Sequence, residues 1–587
     1  MDQRVTSRIA EDGSFTTHDG VELFYRHWPA LSSKPKGAIV MFHRGHEHSG
    51  RMAHIVDELQ MHDYAFFAWD ARGHGLSPGE RGFSPSMAAS VRDVNCFVQH
   101  ISAHHGIASE DMAVIAQSVG AVLVSAWVHD YAPDIRCMVL ASPAFKVKLY
   151  VPFARLGIKI MQTLRGNFFV NSYVKSKFLT HDPERRASFD NDKLITRPIA
   201  SNILLSLYDT AARVIEDAAA ITVPTQLLIS GADFVVHHAP QHEFYARLGS
   251  IDKERHILEG FYHDTLGEKD RDLALDKVRA FIDQRFQAPS SRPDLMHADK
   301  SGFTRYEADV LSGPLPKFSL RAGYWALVRG SLKIGGYLSR GIKLGHQTGF
   351  DSGSTLDYVY ENQARGLTAA GKLIDRSYLN SIGWRGIRQR KVNIEEMLRM
   401  ASHQLRQAGK PVHVMDVASG HGRYILEAIE NTEARPDSIL LRDYSDLNVE
   451  QGRKLIAGKG LEDIASFIKA NAFETESYHQ TAHKPTLGVV SGLYELFPDN
   501  DLICKSLQGF AASIESGGYL IYTGQPWHPQ LEMIARALTS HRQGQAWVMR
   551  RRSQEEMDQL VKAAGFVKFD QRIDEFGIFT VSLAKKV

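Results

Sequence analysis

MAVIAQSVGAVLVSAWV, residues 112–128, is the stretch that decides the reading of this chain. An apolar run leads into Ala116-Gln117-Ser118-Val119-Gly120, and a second apolar run follows. The stretch is short and broken by Gln117, Ser118, Gly120 and Ser125. It therefore reads as strand, tight turn and helix rather than as a membrane span. A turn that sharp needs small residues on either side of the serine, and Ala116 and Gly120 supply them. The turn exposes Ser118 Oγ and leaves the Val119 N–H facing a developing oxyanion. Taken alone, the five residues also fit an ordinary serine at a helix N-terminus.

Working outward, strand-like runs recur at GAIVMF (37–42), AFFAWD (65–70), CMVLAS (137–142), TQLLIS (225–230) and RHILEG (255–260). Helix-like segments separate most of them, as in a parallel α/β sheet. The region between Pro143 and Thr222 has no clear β pattern. It is expected to be an inserted helical cap, over about 143–222. Two candidate partners for Ser118 follow strand ends in the order acid, then base: Asp233 in GADFVV and His263 in GFYHD. Asp233 would hold the imidazole of His263 in one tautomer, and His263 would take the Ser118 proton. Read singly, Asp233 is a turn-capping acid and His263 one of 27 histidines. The loop HRGHEHSGR (43–51) is expected to supply a second oxyanion N–H. Its three histidines come without a Cys or carboxylate set to complete a coordination shell, so no metal is expected.

These features together resemble the monoacylglycerol-lipase and lysophospholipase group, the serine-aminopeptidase-like branch of the α/β hydrolases. The resemblance spans residues 14–286 and rests on the 43–51 loop, on DARGHGLS (70–77), and on Ser118, Asp233 and His263 in order. It implies an α/β-hydrolase fold with a helical cap. It implies oxyanion N–H groups from Gly45 and Val119, and an ester of a lysophospholipid or monoacylglycerol as substrate. Arg44 departs from the pattern, standing where a small residue is usual, and would place a fixed cation beside the substrate. In the cap, Lys146 to Lys177 carries seven Lys or Arg and no acid, with apolar residues between. Such a lid reads either as a surface for lipid with an anionic head group or as a solvated helical face.

The chain has 587 residues, and one core rarely grows past about 250–300. APSSRPDLMHADKSG (288–302) marks a linker. Three parts are expected: a hydrolase over 1–287, a linker with a basic amphipathic connector over 288–355, and a second α/β domain over 356–587. Its strand-like runs are VHVMDVA (412–418), SILLRD (438–443), SFIKAN (466–471), LGVVSG (487–492), GYLIYT (518–523), FVKFD (566–570) and GIFTVSLA (577–584). The last two, close together, suggest an antiparallel hairpin.

The first of these runs enters Asp416-Val417-Ala418-Ser419-Gly420-His421-Gly422. Glycines after a strand let backbone approach a cofactor, but the third Gly of a dinucleotide fingerprint is missing, with Ile at 425. The pattern resembles motif I of class I methyltransferases. The C-terminal segment, about 300–587, looks like the methyltransferase domain found fused behind such hydrolases in bacteria. The resemblance implies a Rossmann-like fold and S-adenosylmethionine as cofactor. Asp416, Ala418, Gly420 and Gly422 would lie at the cofactor, Asp443 on the ribose hydroxyls, and Asn471 and Ala472 at the adenine. Tyr494, Glu495 and His528 are candidates on the side of an unknown methyl acceptor, or simply pack their loops. The sequence supports a bifunctional enzyme. It leaves open a non-catalytic cofactor-binding domain behind an active hydrolase, and a membrane-surface module with a vestigial hydrolase.

The 69 basic and 67 acidic residues leave +2, which offers no nucleic-acid footprint. Three cysteines, Cys96, Cys137 and Cys504, exclude a disulfide scaffold and fit a reducing compartment. The start MDQRVTSRIAEDGSF has no signal-peptide core. A cytoplasmic protein is expected, with peripheral contact at the inner membrane surface. Leu311 to Phe350, which carries six bases, no acid and a stripe of Leu327, Ile334, Leu338 and Ile342, reads either as a connector that packs this stripe onto one of the domains or as the anchor for that contact. Glycines at 330, 335, 336 and 341 argue there against a long regular helix.

Overall fold

The computed structural model describes residues 8–289, 292–429, 435–542 and 544–587. Residues 1–7 of the N-terminal start, and Ser290 and Ser291 of the expected linker, lie outside the described residues. The chain divides into two compact units, Met1–Pro293 and Asp294–Val587. Among the described residues no helix is long and apolar enough to cross a membrane.

The first unit is built on an eight-stranded sheet. Its strands are β1 (Glu11–Thr16), β2 (Glu22–Trp28), β3 (Gly37–Phe42), β4 (Tyr64–Trp69), β5 (Met112–Gln117), β6 (Cys137–Ala141), β9 (Thr225–Ser230) and β10 (Lys253–Leu258). The order is β1-β2-β4-β3-β5-β6-β9-β10, antiparallel at the β1 and β2 edge and parallel from β4 onward. Every residue of β3, β4, β5, β6 and β9 is buried. That is why these strands are continuously apolar instead of alternating: helices cover both faces of the sheet. The alternating β1 and β2 escaped the sequence reading because their pattern is half polar. Between β6 and β9 lie helices Ala154–Arg165, Pro183–Asn191 and Ser201–Glu216. A small antiparallel pair joins them, β7 (Phe169–Asn171) with β8 (Pro198–Ala200), so the cap is not purely helical.

The second unit carries a seven-stranded sheet. Its strands are β11 (His413–Val417), β12 (Ser438–Asp443), β13 (Ala465–Lys469), β14 (Leu487–Val490), β15 (Tyr519–Gly524), β16 (Phe566–Ile573) and β17 (Thr580–Lys586). The order β13-β12-β11-β14-β15-β17-β16 is parallel up to β15, and β16 and β17 form the expected antiparallel hairpin. The strand order reverses between β11 and β14, which opens a crevice at their C-terminal ends. Helix Ile382–Gln407 lays Ile394, Met397, Leu398, Ala401 and Leu405 on the sheet core, a one-sided stripe at helical spacing.

The basic stretch corrects its expectation. A 19-residue helix, Leu320–Leu338, forms despite its glycines. Ser319 caps its start, accepting from the Ala322 amide at 3.1 Å, and Trp325 packs inward with its indole N–H on Glu532 at 3.1 Å. Tertiary packing here outweighs glycine's cost of about 1 kcal/mol per position. The four-residue stripe does not stay on one face. The helix stops at Ser339, whose hydroxyl caps the next helix, Arg340–Thr348. Ile342 is buried there, while Leu327 and Ile334 stand in solvent at 73% and 68% exposure.

Candidate active sites

In the first unit, β5 delivers Ser118 to a turn at φ 56° and ψ −113°, a strained conformation for a residue with a side chain. Helix Val119–Tyr131 starts at once, and its path explains Gly120. A Cβ there would stand 2.6 Å from the His43 carbonyl oxygen and 2.8 Å from that of Phe42. Ser118 and His263 come together from residues 145 apart: His263 Nε2 accepts from Ser118 Oγ at 2.8 Å. His263 Nδ1 donates to Asp233 Oδ2 at 2.8 Å. The Val235 and Val236 amides donate to Asp233 Oδ1 at 2.7 and 3.0 Å. Burial alone would raise the Asp233 carboxyl, but His263 and these two amides outweigh it and hold the group below its ordinary value. The carboxylate thus stays charged and fixes the ring.

Val119 is the first residue of its helix, where amides have no intrahelical partner. Gly45, just past β3, lies against it: a Cβ on Gly45 would meet Val119 Cγ2 at 3.1 Å. Ser118, His263, Gly45 and Val119 line one cavity of about 120 Å³. The cap closes it with Val147, Leu149, Val170, Leu179, Leu204 and Leu207, so the space beside Ser118 is apolar.

Arg44 lines the Ser118 cavity, as a fixed cation beside it would, but its charge is already paired. Its guanidinium pairs with Glu47 and lies 3.4 Å from Asp264, which also accepts from Arg185 Nε at 2.6 Å and Gln117 Nε2 at 3.1 Å. An arginine so deep in the unit needs this pairing to offset its lost hydration. The loop histidines are likewise engaged one by one. His43 Nδ1 donates to the Arg44 carbonyl at 2.7 Å while its Nε2 accepts from the Ala71 amide at 3.1 Å. His48 Nε2 bonds Asp192 at 2.9 Å.

In the second unit the crevice past β11, β12 and β14 is a cavity of about 660 Å³. Ala418, Gly420, Gly422, Asp443, Asn471 and Ala472 all line it. The turn after β11 is left-handed at Ala418, Gly420 and Gly422, with φ of 61°, 58° and 76°. At Gly422 a Cβ would also lie 2.4 Å from Leu441 Cδ1, so glycine is required twice over. Asp443 Oδ2 accepts from the Gly420 amide at 2.9 Å, and Oδ1 accepts from the Ser445 amide at 2.9 Å and Asn448 Nδ2 at 3.0 Å. Burial raises the Asp443 carboxyl. Three donors leave lone-pair capacity for a sugar hydroxyl. The open turn, the edge carboxylate and the cavity size suit a nucleoside cofactor.

One expectation is corrected, and the remaining candidates are placed. Asp416 does not face that cavity. It is fully buried behind the turn, both oxygens accepting from the Tyr424 hydroxyl at 2.7 and 2.8 Å, and burial pushes its carboxyl up to about 8. Asn471 lines the cavity, but its amide closes its own turn, donating to Glu474 Oε1 at 3.0 Å and accepting from the Phe473 amide at 3.1 Å. Tyr494 is buried with its hydroxyl 3.0 Å from Ser506 Oγ and does not line this cavity. Glu495 and His528 do line a second cavity, of about 380 Å³. The two cavities share Asp351, Leu356, Arg390, Gly492 and Leu496. Sequence reasoning missed this second space, because helices scattered over more than 200 residues wall it.

Known proteins resemble the two units separately and together. The family model described as "Putative methyltransferase" matches residues 278–586, and that described as "Serine aminopeptidase, S33" matches residues 33–270. A protein of Escherichia coli (strain K12), "Uncharacterized protein YnbC", is 57% identical over 98% of this chain and 99% of its own. A monoacylglycerol lipase of Mycolicibacterium smegmatis (strain ATCC 700084 / mc(2)155) is 26% identical over 47% of this chain and 99% of its own. The crystal structure of the Paleococcus ferrophilus monoacylglycerol lipase has 20% identity and a TM-score of 0.40, and covers 47% of this chain and 99% of its own.

Proposed function

Because the chain belongs to the methyltransferase family whose model spans residues 278–586, joined to an α/β hydrolase of the serine aminopeptidase type, we propose that it is a bifunctional enzyme. The first unit hydrolyses an ester of a lysophospholipid or monoacylglycerol. The second transfers a methyl group from S-adenosylmethionine to an acceptor.

The observation that carries the hydrolase reading is the chain of hydrogen bonds from Ser118 through His263 to Asp233, opening into an apolar cavity. Ser118 Oγ attacks the ester carbonyl as His263 Nε2 takes its proton. The Gly45 and Val119 amides receive the oxyanion. His263 then returns the proton to the departing alcohol, and water repeats the sequence on the acyl-serine. The strained turn keeps Oγ at the cavity wall, and the apolar cap residues receive the acyl chain. A fluorophosphonate probe tests the nucleophile.

For the second unit, the glycine turn and Asp443 would hold the cofactor's amino-acid and ribose portions, and Asn471 and Ala472 border its adenine. When bound, that cofactor supplies an electrophilic methyl carbon whose bond pair remains on sulfur. This chain's contribution is placement: the turn, the β12 carboxylate and the shared wall at Arg390 and Gly492 set where an acceptor meets that carbon. Calorimetric titration with S-adenosylhomocysteine tests the site.

Peripheral attachment to an anionic membrane at the cytoplasmic face belongs to the same reading. The cap helix Ala154–Arg165 has no buried residue. It presents Leu156, Ile160 and Leu164 outward beside Lys159 and Arg165, while Phe153 precedes it at 84% exposure. Helix Leu320–Leu338 in the second unit presents Leu320, Tyr324, Leu327 and Ile334 in the same way. Apolar residues set among bases favour acidic lipid over neutral lipid.

A further inference from the structure

We propose that the 380 Å³ cavity of the second unit takes the methyl acceptor, and that this acceptor is an uncharged, hydrophobic molecule bearing a hydroxyl group. The proposal rests on the methyltransferase reading and names the substrate class of that site.

Most of the wall is apolar, including Leu332, Ile387, Ile534, Met549 and Phe579, with Trp384 and Trp547 beside them. Such a lining favours hydrocarbon or aromatic ligand surface. Leu356, Arg390 and Gly492 line both this cavity and the cofactor-side one, so the two spaces adjoin and a molecule bound here lies next to the methyl donor.

The polar groups on this wall are few. Glu495 Oε1 accepts from Arg390 Nη1 at 3.1 Å, whereas Glu495 Oε2 is buried without a hydrogen-bond partner. Gln525 Nε2 is also buried without one, on a residue only 3% exposed. His528 Nδ1 accepts from the Gln530 amide at 3.0 Å, which leaves the ring proton on Nε2. Burial pushes this imidazole down to about 3, so it is neutral. Gly383 keeps its Nε2 uncovered: a Cβ there would stand 3.2 Å away.

Glu495 Oε2 is thus a free acceptor on this wall, and the N–H groups of Gln525 Nε2, His528 Nε2, Trp547 Nε1 and Arg390 Nε, with the Tyr378 hydroxyl, are its unpartnered donors. A hydroxyl is the complement, with one O–H to give and two lone pairs to offer. Orphaned buried groups of this kind are costly unless a ligand satisfies them. The Arg390–Glu495 pair is neutral overall, so no surplus cation awaits a carboxylate or phosphate. A carboxylate would also meet Glu495 as a like charge. Burial raises the Glu495 carboxyl above its ordinary value, which makes its carboxylate a stronger base. As the acceptor oxygen bonds to the methyl carbon, its proton passes to Glu495 Oε2 and from there to solvent.

The test is calorimetry on the full chain without cofactor, using three probes of one shape: 4-hexylphenol, hexylbenzene and 4-hexylbenzoate. We expect 4-hexylphenol to bind about tenfold more tightly than either of the others, the difference left by unsatisfied buried polar groups. Ile534→Trp, which fills the cavity, should abolish that binding. Gln525→Leu should weaken 4-hexylphenol several-fold and leave hexylbenzene unchanged. Equal affinity for the three probes, preference for 4-hexylbenzoate, or binding that survives Ile534→Trp would overturn the proposal. A separate titration with S-adenosylhomocysteine distinguishes the outcomes: its failure removes the cofactor reading without altering the probe ranking.

Discussion

The Gly420 amide donates to Asp443 Oδ2 at 2.9 Å, so the carboxylate at the tip of β12 holds the glycine turn that follows β11. Asp443 therefore has two tasks under this account: it accepts from a bound sugar, and it shapes the loop beside it. Asp443→Ala should weaken S-adenosylhomocysteine binding by about tenfold or more, since a charge-assisted hydrogen bond is worth roughly 1.5–3 kcal/mol. Ester hydrolysis should be unaffected. Calorimetry on the variant checks this, and unaltered affinity would refute the assignment of the pocket.

Asp416 supplies a prediction about pH. Its carboxyl is raised to about 8 in the folded chain, burial being the main cause, with Asp443 adding to it. Unfolded, it would titrate near its usual value of about 4. A raised group binds its proton more tightly when folded. Its contribution is therefore complete below about pH 4 and is lost as pH rises through about 8. Asp416→Asn removes the titration and keeps the shape. Melting of the second unit should thus fall less steeply between pH 4 and 8 in the variant than in the unaltered chain. Parallel pH profiles would contradict the burial argument.

The sequence shows a site where a local pattern dictates it. Ser118 on its turn, the glycines 420 and 422 and the acid closing β12 were legible because each follows from a strand end and a steric rule. Asp416, Asn471 and Arg44 were placed by type and spacing, but which neighbour each side chain turns to is set by the folded loop and not by the spacing. Tyr424 draws Asp416 behind the turn, Glu474 takes the Asn471 amide, and Glu47 pairs with Arg44. The acceptor cavity was invisible for a different reason, since its wall is assembled from remote helices. Leu320–Leu338 was misjudged because glycine's local cost is visible in sequence and the packing of Trp325 is not.

The exposed apolar and basic surfaces predict a lipid preference. The chain should co-sediment with phosphatidylglycerol vesicles and not with phosphatidylcholine vesicles, and added salt should weaken the association. Arg321 pairs with Glu532 at 2.7 Å and Arg329 donates to the Arg536 carbonyl at 2.8 Å, so the exposed Lys317, Lys333 and Arg340 are the better residues to alter. Replacing these three by Gln should reduce binding. Equal sedimentation with both vesicle types, or with neither, would remove the membrane from the account.

The central claim is that Ser118 is the nucleophile of an ester hydrolase. The most direct measurement combines intact mass after fluorophosphonate treatment with turnover of a short-chain p-nitrophenyl ester. The account predicts a phosphonyl adduct on Ser118, no adduct in Ser118→Ala, and turnover lower by about a thousandfold or more in Ser118→Ala and His263→Ala, because the three residues act as a unit. Asp233→Asn should lose somewhat less. Labelling elsewhere, or undiminished turnover in Ser118→Ala, would contradict it.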